Sequence, residues 1–399
     1  MKNMTNNKIV IVLLVFLIAG VVLIGSIGQS KNVDSSNIAQ NNQNGINFDK
    51  VFNLPAMLRT PIWPTAPQTI NSPTQTISPT KFPILTLTQA PTLGVTNFIS
   101  PTLSVISPTI IVTLPPVSTF TYKNLTNPAR VEVYDKNGQW LATFTNSSYT
   151  VTLYGPERTF SESSSPYSVK NSVWVRLLPN PFGGTVDVAW LTRALADRSN
   201  DIIATEFQYL VGAPAIKNSS GLKIAGDASY GPLIGGSRQE GSDFNDYLGV
   251  TWTYPDGTVD PPESQQIESL DCSGFQRMVL GYRNNIPISI DPKPGYFPRR
   301  SFQMYAYSPG NIIIADNGSQ VTNFTSIMIG DLVFFDGSTN DGTQIDHVGM
   351  YLGKDLGGHY RFISSRKGAD GPTIGDISGA SILDGTGHYA KTFRGVRRL

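Results

Sequence analysis

The chain has 399 residues and a formal net charge of +1, from 30 basic and 29 acidic side chains that make up only 15% of it. That balance excludes a protein held to nucleic acid by a global positive field, and 28 prolines with 37 glycines imply long stretches outside regular structure. The single cysteine, Cys272, excludes a disulfide within the chain, so the fold must rest on its apolar core.

Residues 9–27, IVIVLLVFLIAGVVLIGSI, are uncharged, come after Lys2 and Lys8, and are just long enough to cross a bilayer as a helix. The lysines predict a single pass with the N-terminus in the cytoplasm and the rest of the chain outside. Because the apolar run exceeds a usual signal core, residues 1–30 read as an uncleaved anchor in a bacterial cell membrane; cleavage near Gly25–Gly28 would give a secreted chain instead. Residues 31–121 read as an extracytoplasmic stalk. Lys81 is the only charge between Thr60 and Tyr122, and Pro67, Pro73, Pro79, Pro91, Pro101 and Pro108 hold the backbone extended without ladder hydrogen bonds.

Order is expected from about Pro128, and residues 122–200 read as a small region of β-hairpin plus helix. Alternation through Val131, Val133, Trp140, Ala142 and Phe144 around Asn137–Gly138 predicts a hairpin. A third strand is expected at Tyr149–Leu153 and another at 173–179. Segments 187–199 and 201–211 carry helical periodicity, as two helices or one bent one. The region is either a separate binding or packing module or an embellishment of the domain that is read over residues 201–399.

Within that domain, SLDCSGFQRMVLGY at 269–282 predicts a helix capped by Asp271, with Phe275, Met278, Val279 and Tyr282 on its core-facing stripe. Cys272 then falls in the first turn, where free backbone N–H groups stabilise a thiolate. Gly274 would let a substrate backbone approach. On these residues alone, a buried structural cysteine and a nucleophile weigh about equally.

A nucleophilic thiol needs a base, and the chain offers His347, His359 and His388. His347 opens the strand HVGMYL after the strand GDLVFF at 330–335, in which one of Phe334 and Phe335 should enter the core and the other face a cleft. If 347–352 and 360–365 form a hairpin, opposed residues sum to about 711 and Ser364 lies across from His347, whereas His359 is a turn residue. His388 is a reserve candidate, more simply a surface histidine. RSFQMYAYSPGNIII at 300–314 should supply a helix leading to the strands. The basic end, with Lys391, Arg394, Arg397 and Arg398, reads as a solvated edge strand that anionic wall polymers could use.

DCSGF at 271–275, GDLVFF at 330–335 and DHVGMYLG at 346–353, in this order, resemble the NlpC-type cysteine peptidases of bacterial cell walls. The resemblance covers about Asp201 to Leu399. It implies an α+β, papain-like domain in which an antiparallel sheet packs against the helix carrying the nucleophile. It also implies hydrolysis of peptidoglycan stem peptides, often after D-isoglutamate, with Cys272 as nucleophile and His347 as base. Ser364 stands where the family has His, Asn or Gln as third member, and Tyr230, Asp271 and Ser273 would lie beside the substrate. No metal or cofactor is implied, nor nucleic acid or an obligate protein partner. The stem peptides and the membrane under the N-terminal segment are the expected partners. An amidase or acyltransferase acting elsewhere, a wall-binding scaffold whose activity was lost through Ser364, and an adhesin built on the stalk remain as alternatives.

Overall fold

The computed structural model describes residues 120–399. The expected anchor and nearly all of the stalk lie outside the described residues, among which no helix is long and apolar enough to cross a membrane.

The first sheet is an antiparallel meander of five strands: β1 (Thr121–Leu125), β2 (Arg130–Tyr134), β3 (Trp140–Thr145), β4 (Thr150–Ser161) and β5 (Ser168–Leu177). The β2–β3 hairpin turns at Asn137–Gly138, where Gly138 takes a φ of 80°. Order begins before Pro128, where it was expected: β1 takes in Thr121, the last residue read as stalk, because its backbone pairs with β2 from Thr121 to Leu125. Helix α1 (Val188–Ala196), capped by Asp187, packs Leu191 and Ala194 against Val133, Phe144 and Leu153. Helix α2 (Ile202–Glu206) is separate from α1. Its cap, Asp201, accepts from Ala204 N–H and from Val175 N–H and forms a 2.8 Å ion pair with Arg158.

Two short hairpins precede helix α3 (Phe244–Leu248) and a third separates it from α4 (Cys272–Gln276) and α5 (Ser301–Tyr307), α4 continuing into a π-helical stretch at Arg277–Tyr282. The second sheet contains β6 (Asn311–Ile314), β7 (Leu332–Phe335), β8 (His347–Lys354), β9 (Tyr360–Arg366) and β10 (Gly371–Thr373), then helix α6 (His388–Thr392) and β11 (Phe393–Arg398). Its order is β6-β11-β7-β8-β9-β10, antiparallel throughout. The architecture is α+β, with the helix bearing Cys272 on an antiparallel sheet. Phe275, Met278 and Val279 of that helix share one core with Val348 and Met350 of β8, and also with Val169 and Val175 of the first sheet.

β11 is not the solvated edge strand that its arginines suggested. It lies between β6 and β7, and both terminal arginines are buried. Arg398 makes a bidentate pair with Asp331 at 2.7 and 2.8 Å, and Arg397 donates to the carbonyls of Tyr305, Ser308 and Pro309. Guanidinium forks satisfied in this way can be buried where lysines could not. The sheets are joined by Thr150, which donates to the Leu399 carbonyl, and by Glu162, which accepts from Thr373 and Ile374.

Glu206 and Gln276 are wholly buried, and neither carboxylate oxygen nor either amide atom makes a hydrogen bond. Burial drives the Glu206 carboxyl well above its ordinary value, with Gln276 opposing, so the fold favours its protonated form. Its contribution to stability is full below the unfolded carboxyl value of about 4.3 and is lost as pH rises toward the raised native value. Glu206→Gln should therefore flatten this part of the pH dependence in urea titrations between pH 5 and 9. Parallel profiles for the two proteins would contradict the assignment.

Candidate active site

The position of Cys272 is set by buried charges around its helix start. Asp271, extended at φ −71° and ψ −178°, caps α4 by accepting from Gly274 N–H at 2.7 Å. Its other oxygen accepts from Gly241 N–H at 3.0 Å and from Arg299 at 2.7 Å. Arg299 also approaches Asp243, the cap of α3, at 3.4 Å, and Asp243 in turn accepts twice from Arg277 at 2.9 and 3.0 Å. Two carboxylates and two guanidiniums thus balance one another out of water. Burial alone would raise the Asp271 carboxyl, but Arg299 and the two N–H donors hold it below its usual range.

Asp271 and Ser273, expected beside the substrate, are buried and turned to each other and to Arg299, so their side chains position the helix start. Gly274 also serves the protein backbone: a Cβ there would lie 2.1 Å from the Ser242 carbonyl oxygen and 3.0 Å from Asp243 Cα. The segment Ser242–Asp243, and not a ligand, occupies that space.

The Cys272 thiol lies against the strand that begins with His347. Its Sγ is 3.9 Å from the Asp346 carbonyl oxygen, and the Val348 N–H points at it, so it contacts backbone on both sides of the histidine. Cys272 is 7% exposed. Burial, then Asp271 and Glu240, push the thiol up, with Val348 N–H and Arg299 opposing. His347 is pushed down to about 3 by burial, then by Arg366 and His388, with Asp271 opposing. At neutral pH the resting pair is a thiol and a neutral imidazole. Burial disfavours both charges and so opposes the thiolate that the free N–H groups of a helix start stabilise.

Beside this pair opens a cleft of about 450 Å³ whose walls include Tyr230, Glu240, Phe335, His347, Arg366, His388 and Tyr389. Tyr230 is 3% exposed, and burial, then Cys272 and Asp271, raise its hydroxyl. Phe334 enters the core shared with α4, and Phe335 a second apolar cluster with Phe362, Tyr389 and Phe393 that borders the cleft; both rings are fully buried. At the rim, Asp336, Asp341 and Asp346 bring carboxylate oxygens within 4.8 Å of one another. Asp346 spends its oxygens on Gly337 and Ser338 N–H groups, and Asp336 lies 3.4 Å from Arg394.

In the register of β8 and β9, Met350 pairs with Ile363 and Tyr351 with Phe362, a sum of 713 where 711 was expected, which sets Ser364 beside Gly349. A Cβ on Gly349 would lie 3.1 Å from Ser364 Cβ, as that register requires. Ser364 is fully buried, and its Oγ accepts from Arg366 Nε at 3.0 Å. His347 Nε2 is buried without a partner. His359 is a turn residue, 2.8 Å from Asp384, and its pKa is raised by that bond. His388 is exposed, yet it lines the cleft at the start of α6. Arg299, Arg366 and Tyr389 were not singled out from sequence: they lie far from the motifs, and no local pattern marks them.

Residues 257–375 match the NlpC/P60 family model, a span that includes Cys272, His347 and Ser364 but begins after Tyr230. Similar solved structures include a lipoprotein-like NLP/P60 family protein from Staphylococcus aureus Mu50, at 18% identity over 53% of this chain and 47% of that one, with a TM-score of 0.24. A NlpC/P60 family protein from Bacillus cereus ATCC 10987 aligns at 16% identity over 70% and 79%, TM-score 0.22. NlpC1 from Trichomonas vaginalis aligns at 12% identity over 71% and 90%, TM-score 0.25. A search of curated proteins finds no match.

This geometry has two measurable consequences. Alkylation of Cys272 by iodoacetamide should accelerate continuously as pH rises through 7 to 9, because a thiol held high is ionised only in base; a plateau at neutral pH would indicate an ion pair. Asp271→Ala should cost about 3 kcal/mol or more in urea unfolding by leaving Arg299 without its nearest carboxylate, and unchanged stability would mean that the buried charges do not hold the helix start. The chain carries, at residues 257–375, a domain of the NlpC/P60 family, whose members are generally cell-wall peptidases.

Proposed function

We propose that the protein is a cysteine endopeptidase that hydrolyses peptide bonds in the stem peptides of peptidoglycan, with Cys272 as nucleophile and His347 as general base. The observation that carries this reading is the thiol at a helix start, set between the backbone groups that flank His347, beside an open cleft. As the substrate carbonyl enters, the Cys272 proton passes to His347 while sulfur attacks the carbonyl carbon, forming a C–S bond and an oxyanion. The Cys272 N–H, in the first turn and without an intrahelical acceptor, is suited to receive that oxyanion. Collapse breaks the C–N bond, and the imidazolium proton leaves with the amine. Water then attacks the thioester, giving its proton to His347, and the carboxylic acid departs as the thiol is restored.

The neutral resting pair makes this general-base catalysis, with proton transfer coupled to attack. Tyr230, in the wall of the cleft, would border the bound peptide. Residues 1–30 as an anchor and 31–121 as a stalk would hold residues 201–399 outside the cytoplasmic membrane and within reach of the wall, with 122–200 packed against them.

The test is digestion of purified peptidoglycan by the full chain, with mass analysis of the released muropeptides. Wild-type protein should release new stem-peptide fragments, and Cys272→Ala and His347→Ala should each lower release by at least about a hundredfold. Equal release by wild type and Cys272→Ala would sink the proposal.

A further inference from the structure

The side chain that orients a catalytic imidazole ordinarily does so by a hydrogen bond to its second nitrogen. Here that bond is absent: His347 Nε2 has no partner, and the Ser364 hydroxyl is engaged by Arg366. The imidazole is held by rings instead. Its centroid is 5.4 Å from that of Tyr389 and 5.7 Å from that of Phe335, and these two rings meet edge to face at 5.3 Å.

Tyr389 is in turn held by a cation. The Arg366 guanidinium carbon lies 4.4 Å from the centre of its ring, within cation–π range. Arg366 is itself fixed on every side by Ser364 Oγ, Ser381 Oγ and the Gly379 carbonyl, and no carboxylate is hydrogen-bonded to it. A buried guanidinium with only neutral hydrogen-bond partners is costly, and its charge is offset by the Tyr389 face, by the Phe362 face at 5.2 Å and by the more distant Asp376 and Glu162 carboxylates. Gly379 brings the Asp376–Ser381 loop onto the same ring: a Cβ there would touch Tyr389 at 3.0 Å.

We propose that Arg366 and Tyr389 are the positioning residues for His347, the guanidinium fixing the tyrosine ring and the ring fixing the imidazole, with Ser364 acting only as an anchor for Arg366. The inference rests on His347 as the base. It assigns a different consequence to each partner. Tyr389 fixes orientation, so its loss lowers kcat with little change in KM. Arg366 adds a permanent positive charge near His347, so its loss also lets the imidazole protonate more readily. The other charged or titratable groups that face His347 are His388 from α6, Asp271 and Cys272 from the start of α4, and neighbouring Asp346.

The test uses the full chain and released muropeptides as substrate. Tyr389→Leu should lower kcat at least tenfold with KM within about twofold, whereas Tyr389→Phe, which keeps the ring, should lose less than threefold. Arg366→Met should move the acid limb of kcat/KM, and the His347 ring signals in NMR titration, to higher pH. A purely structural role would lower the folded fraction, measured by circular dichroism, and scale the rate equally at every pH. Unchanged kcat in Tyr389→Leu, an equal loss in Tyr389→Phe, or an unmoved His347 titration in Arg366→Met would each overturn the proposal. If wild type cleaves no muropeptide, the peptidase reading fails, and the NMR titrations of wild type, Arg366→Met and Tyr389→Leu still decide whether these residues control His347.

Discussion

Four buried charges, Asp271, Arg299, Asp243 and Arg277, govern where the helix bearing Cys272 begins and which way it points. Removing ions from water is costly, and the cost is recovered only where each is matched in charge and saturated with hydrogen bonds. Both carboxylates are also helix caps, so one network fixes the starts of α3 and α4 together. The contact of Gly274 with Ser242 then leaves no room for the helix start to slide. The thiol arrives at His347 as a consequence of that fixed start and of the apolar stripe that seats the helix on the sheet.

The second constraint is the sheet order. Inserting β11 between β6 and β7 brings the C-terminal residues into the core, where Arg398 pairs with Asp331 at the entry to β7. The preceding helix, α6, is thereby carried to the cleft, bringing Tyr389 and His388 against His347. Segments on either side of the matched family span, Tyr230 before it and Tyr389 after it, thus complete the walls of the cleft.

The electrostatics of the cleft are a product of burial. A thiol and an imidazole that are both shielded from water rest uncharged, and Arg366 opposes protonation of the imidazole further. Such a pair depends on geometry at the moment of proton transfer more than on stored charge. The packing around the imidazole therefore matters more here than in a site that rests as an ion pair.

Much of this was legible in the sequence. Local rules located the Asn137–Gly138 hairpin, the Asp271 cap, the apolar stripe after Cys272 and the strands that begin near Leu332, His347 and Tyr360, because each depends on neighbours a few residues apart. The three short motifs also carried the family resemblance. What required the tertiary structure was every decision made across long separations. The hairpin register differs by two from its expected sum: the strands close at Lys354–Tyr360, a sum of 714, and the bulge between Tyr351 and Gly353 brings it to 713 at Met350–Ile363. The basic C-terminal strand became interior because distant Asp331 and three carbonyls satisfy its arginines. The charge state of Cys272 was decided by burial, which outweighs the favourable field of a helix start and depends on contacts that no local stretch of sequence contains.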